Sequence, residues 1–311
     1  MKIKKYLPVI GIIIFLYILF KLNILNILEE ISNANINYLL IAMFLIFLFY
    51  IIQTLKWFVI ARIQKIELTF LNAFKINFIS NFYGFITPSR IGGIMRAEYL
   101  KKYNKNKIGK GLSNYMIDKV LDLCSLAFLA GIFSFVFRDF ISISYFYYAI
   151  FGFILLVVLL MIFRDEKRSK SLLRIFYRKI IPEKIKGKVK DGFDSFYKDM
   201  PKKRFFILFF LLNILNWIVL YTSTFFIAIS LGIDISFFYF LAILPIATLV
   251  EQIPITISGL GIRETALISL FGLFGIGATK VFSMSILSLF LSGIIPSIIG
   301  SFLILKNKKN R

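Results

Sequence analysis

The chain has 311 residues, 59% of them hydrophobic, against roughly 45–50% apolar residues in soluble globular domains. It carries 38 lysine and arginine residues against 16 aspartate and glutamate residues, a formal net charge of +22. A soluble core of this size cannot bury so much apolar surface. The cations are also confined to segments between apolar runs, which is typical of positive-inside loops and argues against nucleic-acid binding.

The residue types limit the chemistry of the chain. It has no histidine and one cysteine, Cys124, so the commonest general base and metal ligand is missing. Cys124 lies in an apolar run, where we expect a buried and inert thiol. We predict no catalytic residue, no metal site and no cofactor.

Six apolar runs are long enough to cross about 30 Å of hydrocarbon, which takes roughly 20 residues. They are Tyr6–Ile27, Tyr38–Trp57, Leu112–Val136, Ser144–Phe163, Phe205–Leu231 and Val281–Leu305. The basic start of the first run resembles a signal peptide, but no cleavage site follows, so we predict a retained span. The aromatic residues Trp57, Trp217, Tyr145, Tyr147 and Tyr148 are expected to be interfacial anchors.

These runs predict an all-α fold, a polytopic transmembrane helix bundle of about 6–8 spans with re-entrant or broken helices. We expect one membrane domain over residues 1–311, with a first half 1–163, a basic loop 164–204 and a second half 205–311.

The charged segments predict the orientation. The basic segments, all expected to be cytoplasmic, are Met1–Lys5, Lys56–Lys75, Arg90–Lys110, Arg164–Arg204 and Lys306–Arg311. We therefore expect the protein in the plasma membrane, with both termini in the cytoplasm. Within Arg164–Arg204, apolar residues at helical spacing favour two amphipathic helices on the anionic cytoplasmic leaflet. A solvated loop whose charge serves only topology is the alternative.

Two apolar segments are irregular. Ile76–Pro88 lies between two basic segments and, at about 13 residues, is too short to cross. We therefore predict that Phe70–Arg96 is re-entrant, which is tolerated where protein or a water-filled cavity satisfies its backbone. The segment 237–280 is interrupted by prolines and glycines and must leave and return on the external side, either as two spans or as a second hairpin.

The two irregular segments have similar sequences. The first reads Thr87-Pro-Ser-Arg-Ile-Gly-Gly-Ile-Met-Arg-Ala-Glu98, and the second reads Pro254-Ile-Thr-Ile-Ser-Gly-Leu-Gly-Ile-Arg-Glu264. Both pass from a proline through two glycines to an arginine and a glutamate. This pattern indicates an inverted repeat whose broken helices meet at a central site, and a coincidence between two turns is the alternative.

These motifs, together with Asp118–Leu123, resemble the signature elements of the flippase-like integral membrane protein family. That family includes the transmembrane domain of lysylphosphatidylglycerol synthase and the membrane part of some archaeal dolichyl-phosphate glycosyltransferases. The resemblance covers nearly the whole chain and is most specific at Gly259–Glu264. Arg90 and Met95 depart from the pattern, since the family usually has a small residue at the first position and often an acidic one at the second.

Arg96 and Arg263 are the central candidates for substrate binding. An arginine in hydrocarbon costs about 2.5–3.5 kcal/mol on insertion scales, so each should face a cavity or a partner. A guanidinium matches phosphate, and glycines before a helix leave N–H groups for an anion. We predict that both line one polar cavity as a phosphate clamp. Alternatively, Arg96 and Glu98 lie at the interface and Arg263 pairs with Glu251 or Glu264. The predicted substrate-binding set is Gly92, Gly93, Arg96, Glu98, Gly259, Gly261, Arg263 and Glu264.

Three further carboxylates require a partner or a proton. Asp118 and Asp122 are one helical turn apart and share a face. Asp122 lies deeper in its span and is either the partner of an inward cation or a proton-coupling group. Glu251, just before Pro254, is open to the same two interpretations.

The sequence thus predicts a flippase or transporter for an anionic lipid, either a phospholipid or an isoprenoid phosphate, with membrane lipids as its partners. A headgroup-modifying enzyme is disfavoured because histidine, an Asp-x-Asp element and a soluble donor-binding domain are missing. The remaining alternative is an accessory subunit of a separately encoded glycosyl- or aminoacyl-transferase, which co-purification of an enzyme would distinguish.

Overall fold

The computed structural model describes residues 7–105, 107–169 and 191–309. Within these ranges the chain is helical and has no strand, which confirms the predicted all-α bundle. The helices are α1 Leu7–Lys21, α2 Ile24–Ser32, α3 Ile36–Ile63, α4 Phe70–Phe85, α5 Met95–Leu100, α6 Gly109–Val136, α7 Ser144–Arg164, α8 Lys203–Ser230, α9 Phe237–Glu251, α10 Ile262–Gly272, α11 Ala278–Leu289 and α12 Ile295–Lys309. The two amphipathic helices are predicted from apolar residues within Arg164–Arg204. Most of these apolar residues, those at 172–189, lie outside the described residues.

Five of the described helical segments are long and apolar enough to cross a membrane: α3, α6, α7, α8 and the continuous stretch α11–α12. Only 6% of the apolar window of α7 is buried, so lipid must cover most of this helix. A sixth span requires α1 and α2 together, which are bent by 78°. The predicted first span over Tyr6–Ile27 is therefore not one straight helix but a bent pair of helices. The helix breaks at Asn23, whose side chain caps α2 by accepting from the Leu25 N–H at 3.0 Å.

The elements of the two halves follow one another in the same order, and the two halves run in opposite directions. α3 and α8 lie antiparallel, because the Asn35 N–H donates to the Ser230 carbonyl at 2.8 Å while Lys56 Nζ donates to Asn213 Oδ1 at 2.6 Å. α4 packs against α12 of the second half, and α9 packs against α6 of the first half. This exchange of helices is the arrangement expected of two inverted repeats.

In the first half, α4 and the segment after it form a hairpin. Ser80 Oγ donates to the Gly93 carbonyl at 2.8 Å, and further from the tip Leu100 packs with Ala73. The chain thus returns toward the end of the bundle at which α4 begins. That this hairpin is re-entrant in a membrane stays a prediction.

The second half contains a matching hairpin built from α9 and α10. The rings of Tyr239 and Phe274, at its two ends, have centroids 4.4 Å apart. The helices have 15 and 11 residues, so they are about 22 and 16 Å long, short of the roughly 30 Å of hydrocarbon. The segment 237–280 thus contains two short helices that fold back on each other, and the choice between two spans and a re-entrant hairpin stays a prediction.

The two hairpin tips, residues 86–94 and 252–261, meet inside the bundle. Pro88 and Ile257 form an isolated antiparallel bridge. Ser89 Oγ donates to the carbonyl of Gln252 at 2.7 Å, and Ser258 Oγ donates to the carbonyl of the last α4 residue. The last carbonyls of a helix have no partner within that helix. Each tip therefore donates a hydrogen bond to such a carbonyl at the end of the first helix of the other hairpin.

Candidate functional site

A buried ionic cluster, here called the inner cluster, consists of Lys56, Arg96, Asp118 and Asp122. Lys56 Nζ lies 3.3 Å from Asp118 Oδ1 and 3.0 Å from Asp122 Oδ1. Arg96 Nη2 donates to Asp118 Oδ2 at 2.9 Å. Both cations are buried, and Asn213 of α8 accepts a further hydrogen bond from Lys56. Of the two interpretations of Asp118 and Asp122, the geometry matches ion pairing.

Two aromatic rings fix the position of Arg96. Its guanidinium carbon lies 4.8 Å from the ring centroid of Trp57 and 5.4 Å from that of Tyr115. Such cation–π contacts stabilise a cation more strongly when water is excluded. Trp57 is held in turn by donating from Nε1 to Asn77 at 3.3 Å, so α3, α4 and α6 together orient this arginine.

A second cluster, here called the tip cluster, consists of Arg90, Glu251, Arg263 and Glu264. Arg90 Nη2 lies 2.8 Å from Glu251 Oε1, and Arg263 Nε lies 3.7 Å from Glu251 Oε2. Arg263 Nη1 lies 3.6 Å from Glu264 Oε1 and donates to Ser285 Oγ at 3.2 Å. This is the pairing of Arg263 that the alternative interpretation of the sequence expected.

The start of α10 does not offer free N–H groups at its capping glycine. The Gly261 N–H donates to Glu264 Oε2 at 2.7 Å, so the helix carries its own carboxylate at its N-terminus. Gly259 has φ +71°, and a Cβ there would lie 2.3 Å from Glu251 Cγ. The two glycines thus shape the second tip and position Glu251, and the expectation that they leave N–H groups for an anion does not hold at Gly261.

Two adjacent cavities lie beside these clusters. The first, of about 100 Å³, is lined by four cations, Lys56, Arg90, Arg96 and Lys119, and by the two carboxylates Asp118 and Asp122. The second, of about 50 Å³, is lined by Arg90, Glu251 and Arg263. Arg96 and Arg263 thus line two adjacent cavities that share Arg90 and Trp217, where the sequence predicts one cavity lined by both arginines.

Several polar groups at the first cavity have no hydrogen-bond partner among the described residues. They are the Nε atoms of Arg90 and Arg96, Nε1 of Trp217, Oδ1 of Asn216 and Oδ1 of Asp118, of which the last lies in an ion pair with Lys56. Three of these five atoms carry an N–H group. Buried polar groups are usually hydrogen-bonded, so the first cavity presents donors to an acceptor such as a phosphate oxygen or water.

The other predicted site residues lie apart from the cavities or line their walls. Glu98 pairs with Lys101 at 2.9 Å on the exposed face of α5, and half of its side chain is exposed. Gly92 allows close packing, because a Cβ there would lie 2.0 Å from the Tyr83 carbonyl oxygen. Gly93 lines the first cavity. Glu98 and Gly92 therefore contribute no group to the candidate site.

Sequence reasoning missed Lys56, Arg90, Lys119, Asn216 and Trp217. Lys56 was counted as a loop cation, although it lies within α3 and is buried. The position of Lys56 in the sequence could have indicated that it lies within the span, because α3 continues with mostly apolar residues for nearly two turns beyond it. Lys119 donates to Gln252 Oε1 at 2.8 Å and joins α6 to the second tip.

The interfacial role predicted for two tryptophans is also wrong. Trp57 is completely buried and Trp217 is 8% exposed. Trp217 lines both cavities, where its indole contributes apolar surface together with an N–H donor. Trp57 instead packs against the guanidinium of Arg96. By contrast, Tyr145, Tyr147 and Tyr148 are exposed, as expected, and Cys124 is buried.

The comparisons with known proteins agree with this architecture. The family model described as the lysylphosphatidylglycerol synthase TM region matches residues 8–300. A UPF0104 membrane protein of Pyrococcus horikoshii is 27% identical, with 98% of each chain covered. Another, of Methanocaldococcus jannaschii, is 26% identical over 99% of this chain and 98% of its own. The protein is a multi-pass membrane protein that belongs to the lysylphosphatidylglycerol synthase transmembrane region family.

Proposed function

We propose that this protein translocates a lipid with an anionic headgroup, a phospholipid or an isoprenoid phosphate, and that the first cavity binds the headgroup phosphate. The observation that carries the proposal is the excess of cations at this cavity, four against two carboxylates, together with N–H donors that have no hydrogen-bond partner in the part of the chain that the structure describes. In a low-dielectric bundle such an excess favours an anion far more than it would in water.

The size of the cavity supports binding of the headgroup alone. A volume of about 100 Å³ admits a phosphate group but no acyl chain, so the chains remain in the surrounding lipid. The two tips lie beside this volume and are joined by Ser89, which donates to the Gln252 carbonyl. Lys119 of α6 also binds Gln252 and so holds the second tip against α6. Breaking these contacts would open a path between the hairpins, and inverted-repeat transporters move their halves against one another in this way.

The test is a lipid-flipping assay in vesicles with fluorescently labelled phosphatidylglycerol or phosphatidylcholine. We expect transport of the anionic lipid only. Arg96→Gln should reduce the rate at least about tenfold, because an arginine that binds phosphate through several donors has no neutral substitute. Lys119→Gln, which breaks no ion pair, should reduce it less. The matched control is Lys75→Gln, on the exposed face of α4. Equal transport of both lipids, or an unchanged rate in folded Arg96→Gln protein, would refute the proposal.

The orientation and membrane belong to the same proposal. We place both termini and the basic segment after α7 in the cytoplasm, with the protein in the plasma membrane, because positive segments remain on that side. Lys167 is exposed just beyond α7. On a Cys124→Ser background, Lys167→Cys should react with an impermeant maleimide only after the cells are permeabilised.

A second candidate function follows from the matched family description, which names part of a synthase. In this case the chain would be the membrane subunit of a separately encoded transferase. Co-purification of a lipid-modifying enzyme with the tagged protein, together with no lipid movement by the protein alone, would favour this function.

A further inference from the structure

A lateral groove lies between α6, α7 and α8, and it shares no lining residue with the two polar cavities. Its volume is about 570 Å³, within the roughly 300–1,000 Å³ of ligand pockets. The wall is mostly apolar and aromatic and includes Cys124, Phe153, Val157, Phe206 and Phe210. Along α7 the groove extends from Phe153 to Arg164, which is about 16 Å at the rise of an α-helix.

One end of the groove is positively charged. Arg164, Arg168 and Lys203 line it there, against the single carboxylate of Asp165. The Nε of Arg164 is buried and has no hydrogen-bond partner among the described residues. Asp165 lies 3.9 Å from Arg168, so it compensates only one of the three cations. Arg164 and Lys203 thus have no carboxylate partner within residues 7–105, 107–169 and 191–309. An apolar channel that ends in such cations is complementary to a long hydrocarbon chain with an anionic headgroup.

We propose that the lateral groove is a second lipid site, in which one hydrocarbon chain lies between α7 and α8 and the phosphate contacts Arg164 and Lys203. The exposed surface of α7 places the groove within reach of membrane lipid. Because the groove and the polar cavities have separate walls, this site does not depend on the proposed translocation.

Lipid titration of the detergent-purified protein, followed by native mass spectrometry, tests this site. Phosphatidylglycerol and phosphatidylcholine with the same acyl chains are compared. We expect the anionic lipid to bind at least about tenfold more tightly, since each near-surface cation contributes roughly a fivefold increase in binding. Lys203→Ala should weaken the binding of phosphatidylglycerol by about one such fivefold factor. Lys202→Ala, its exposed neighbour outside the groove lining, is the matched control.

A second pair of variants tests the apolar part. Val157→Trp fills the groove and should reduce phosphatidylglycerol binding at least about tenfold, as an occluded ligand pocket does. Val158→Trp makes the same change one position along α7, where the side chain is exposed, and should bind as the wild type does. The Arg96→Gln variant should also keep this binding while losing transport, which separates the two proposals.

Three results would contradict the proposed lipid site. Equal affinity of the wild type for both lipids means that only ordinary surrounding lipid is bound. Unchanged phosphatidylglycerol binding in Val157→Trp, with a melting temperature close to that of the wild type, places the lipid elsewhere. Loss of binding in Arg96→Gln but not in Val157→Trp would assign the anionic lipid to the first cavity instead.

Discussion

The two hairpin tips have similar sequences but use their arginines differently. Arg96 is held by Asp118 and by two aromatic faces, and its Nε has no hydrogen-bond partner among the described residues. Arg263 contacts Glu251, Glu264 and Ser285. The arginine of the first motif therefore keeps an N–H group beside the first cavity, whereas that of the second motif is paired with carboxylates.

The register of the tips explains this difference. The bridge pairs Pro88 with Ile257, the middle residues of the segments Thr-Pro-Ser and Thr-Ile-Ser. In that register Gly92 corresponds to Gly261, and Arg96 is not the counterpart of Arg263. Similar motifs in two inverted repeats thus place their cations at different positions, and the first cavity becomes the candidate binding site while ion pairs line its smaller neighbour.

The largest effect is expected when the inner cluster loses its lysine. Lys56→Met leaves the buried Asp118 and the partly buried Asp122 with one cation fewer, and breaking a buried pair from one side costs about 3–5 kcal/mol. We expect a large drop in the midpoint of unfolding by SDS in mixed micelles. Lys75→Met, on the exposed face of α4, should be close to neutral. A triple variant that adds Asp118→Asn and Asp122→Asn should recover part of the loss, and no recovery would contradict the ionic explanation.

The next effect compares one glycine of each tip. Gly259 has φ +71°, and its Cβ would meet Glu251 at 2.3 Å. Gly259→Ala should therefore lower the free energy of unfolding by about 1–3 kcal/mol, the range for strained backbone conformations. At Gly93 the nearest atom is the edge of Tyr115 at 3.3 Å, so Gly93→Ala should cost less. Equal melting temperatures for the two variants would show that the second tip is not the tighter one.

Much of the fold follows from the sequence because it depends on apolar run length and loop charge. The spans from α3 to α12 and the existence of two irregular segments are of this kind. The contacts within the site do not follow, because they depend on which helices meet. Lys56 and Asp118 are far apart in the chain, and only the packing of α3 against α6 brings them within 3.3 Å. For the same reason the sequence predicts Trp57 at the interface, although it is completely buried in a cluster that includes Ala73 of α4 and Leu100 of α5.

A smaller effect tests whether the tips stabilise each other symmetrically. Ser89 and Ser258 each donate a hydrogen bond to a helix-end carbonyl of the other hairpin. A neutral hydrogen bond contributes about 1 kcal/mol, so Ser89→Ala and Ser258→Ala should cost similar amounts. Both contacts join the same two hairpins, so the double variant should show a coupling energy of at least about 0.5 kcal/mol in a double-mutant cycle. Strict additivity would mean that the two contacts act independently.

The smallest effect is expected at an ionic contact outside the spans. Asp199 accepts a hydrogen bond from Lys110 Nζ at 2.6 Å and lies 3.3 Å from Lys65 Nζ. The hydrogen bond from Lys110, with that from Lys65, holds the pKa of Asp199 below its usual range. Because the pKa is lower in the folded state, this stabilisation is present above the unfolded pKa of about 3.9 and is lost as the pH falls through the folded value.

Asp199→Asn should therefore lower the free energy of unfolding by on the order of 0.5–1 kcal/mol at pH 7, as solvent-accessible pairs do. The difference from the wild type should shrink as the pH falls below about 4, because the wild-type carboxyl is then protonated as well. SDS unfolding at a series of pH values measures both. A difference that stays constant from pH 7 to pH 3 would show that Asp199 acts through its shape or neutral hydrogen bonding. The smaller loss of stability in Asp199→Asn than in Lys56→Met could then not be attributed to the greater solvent accessibility of its charge.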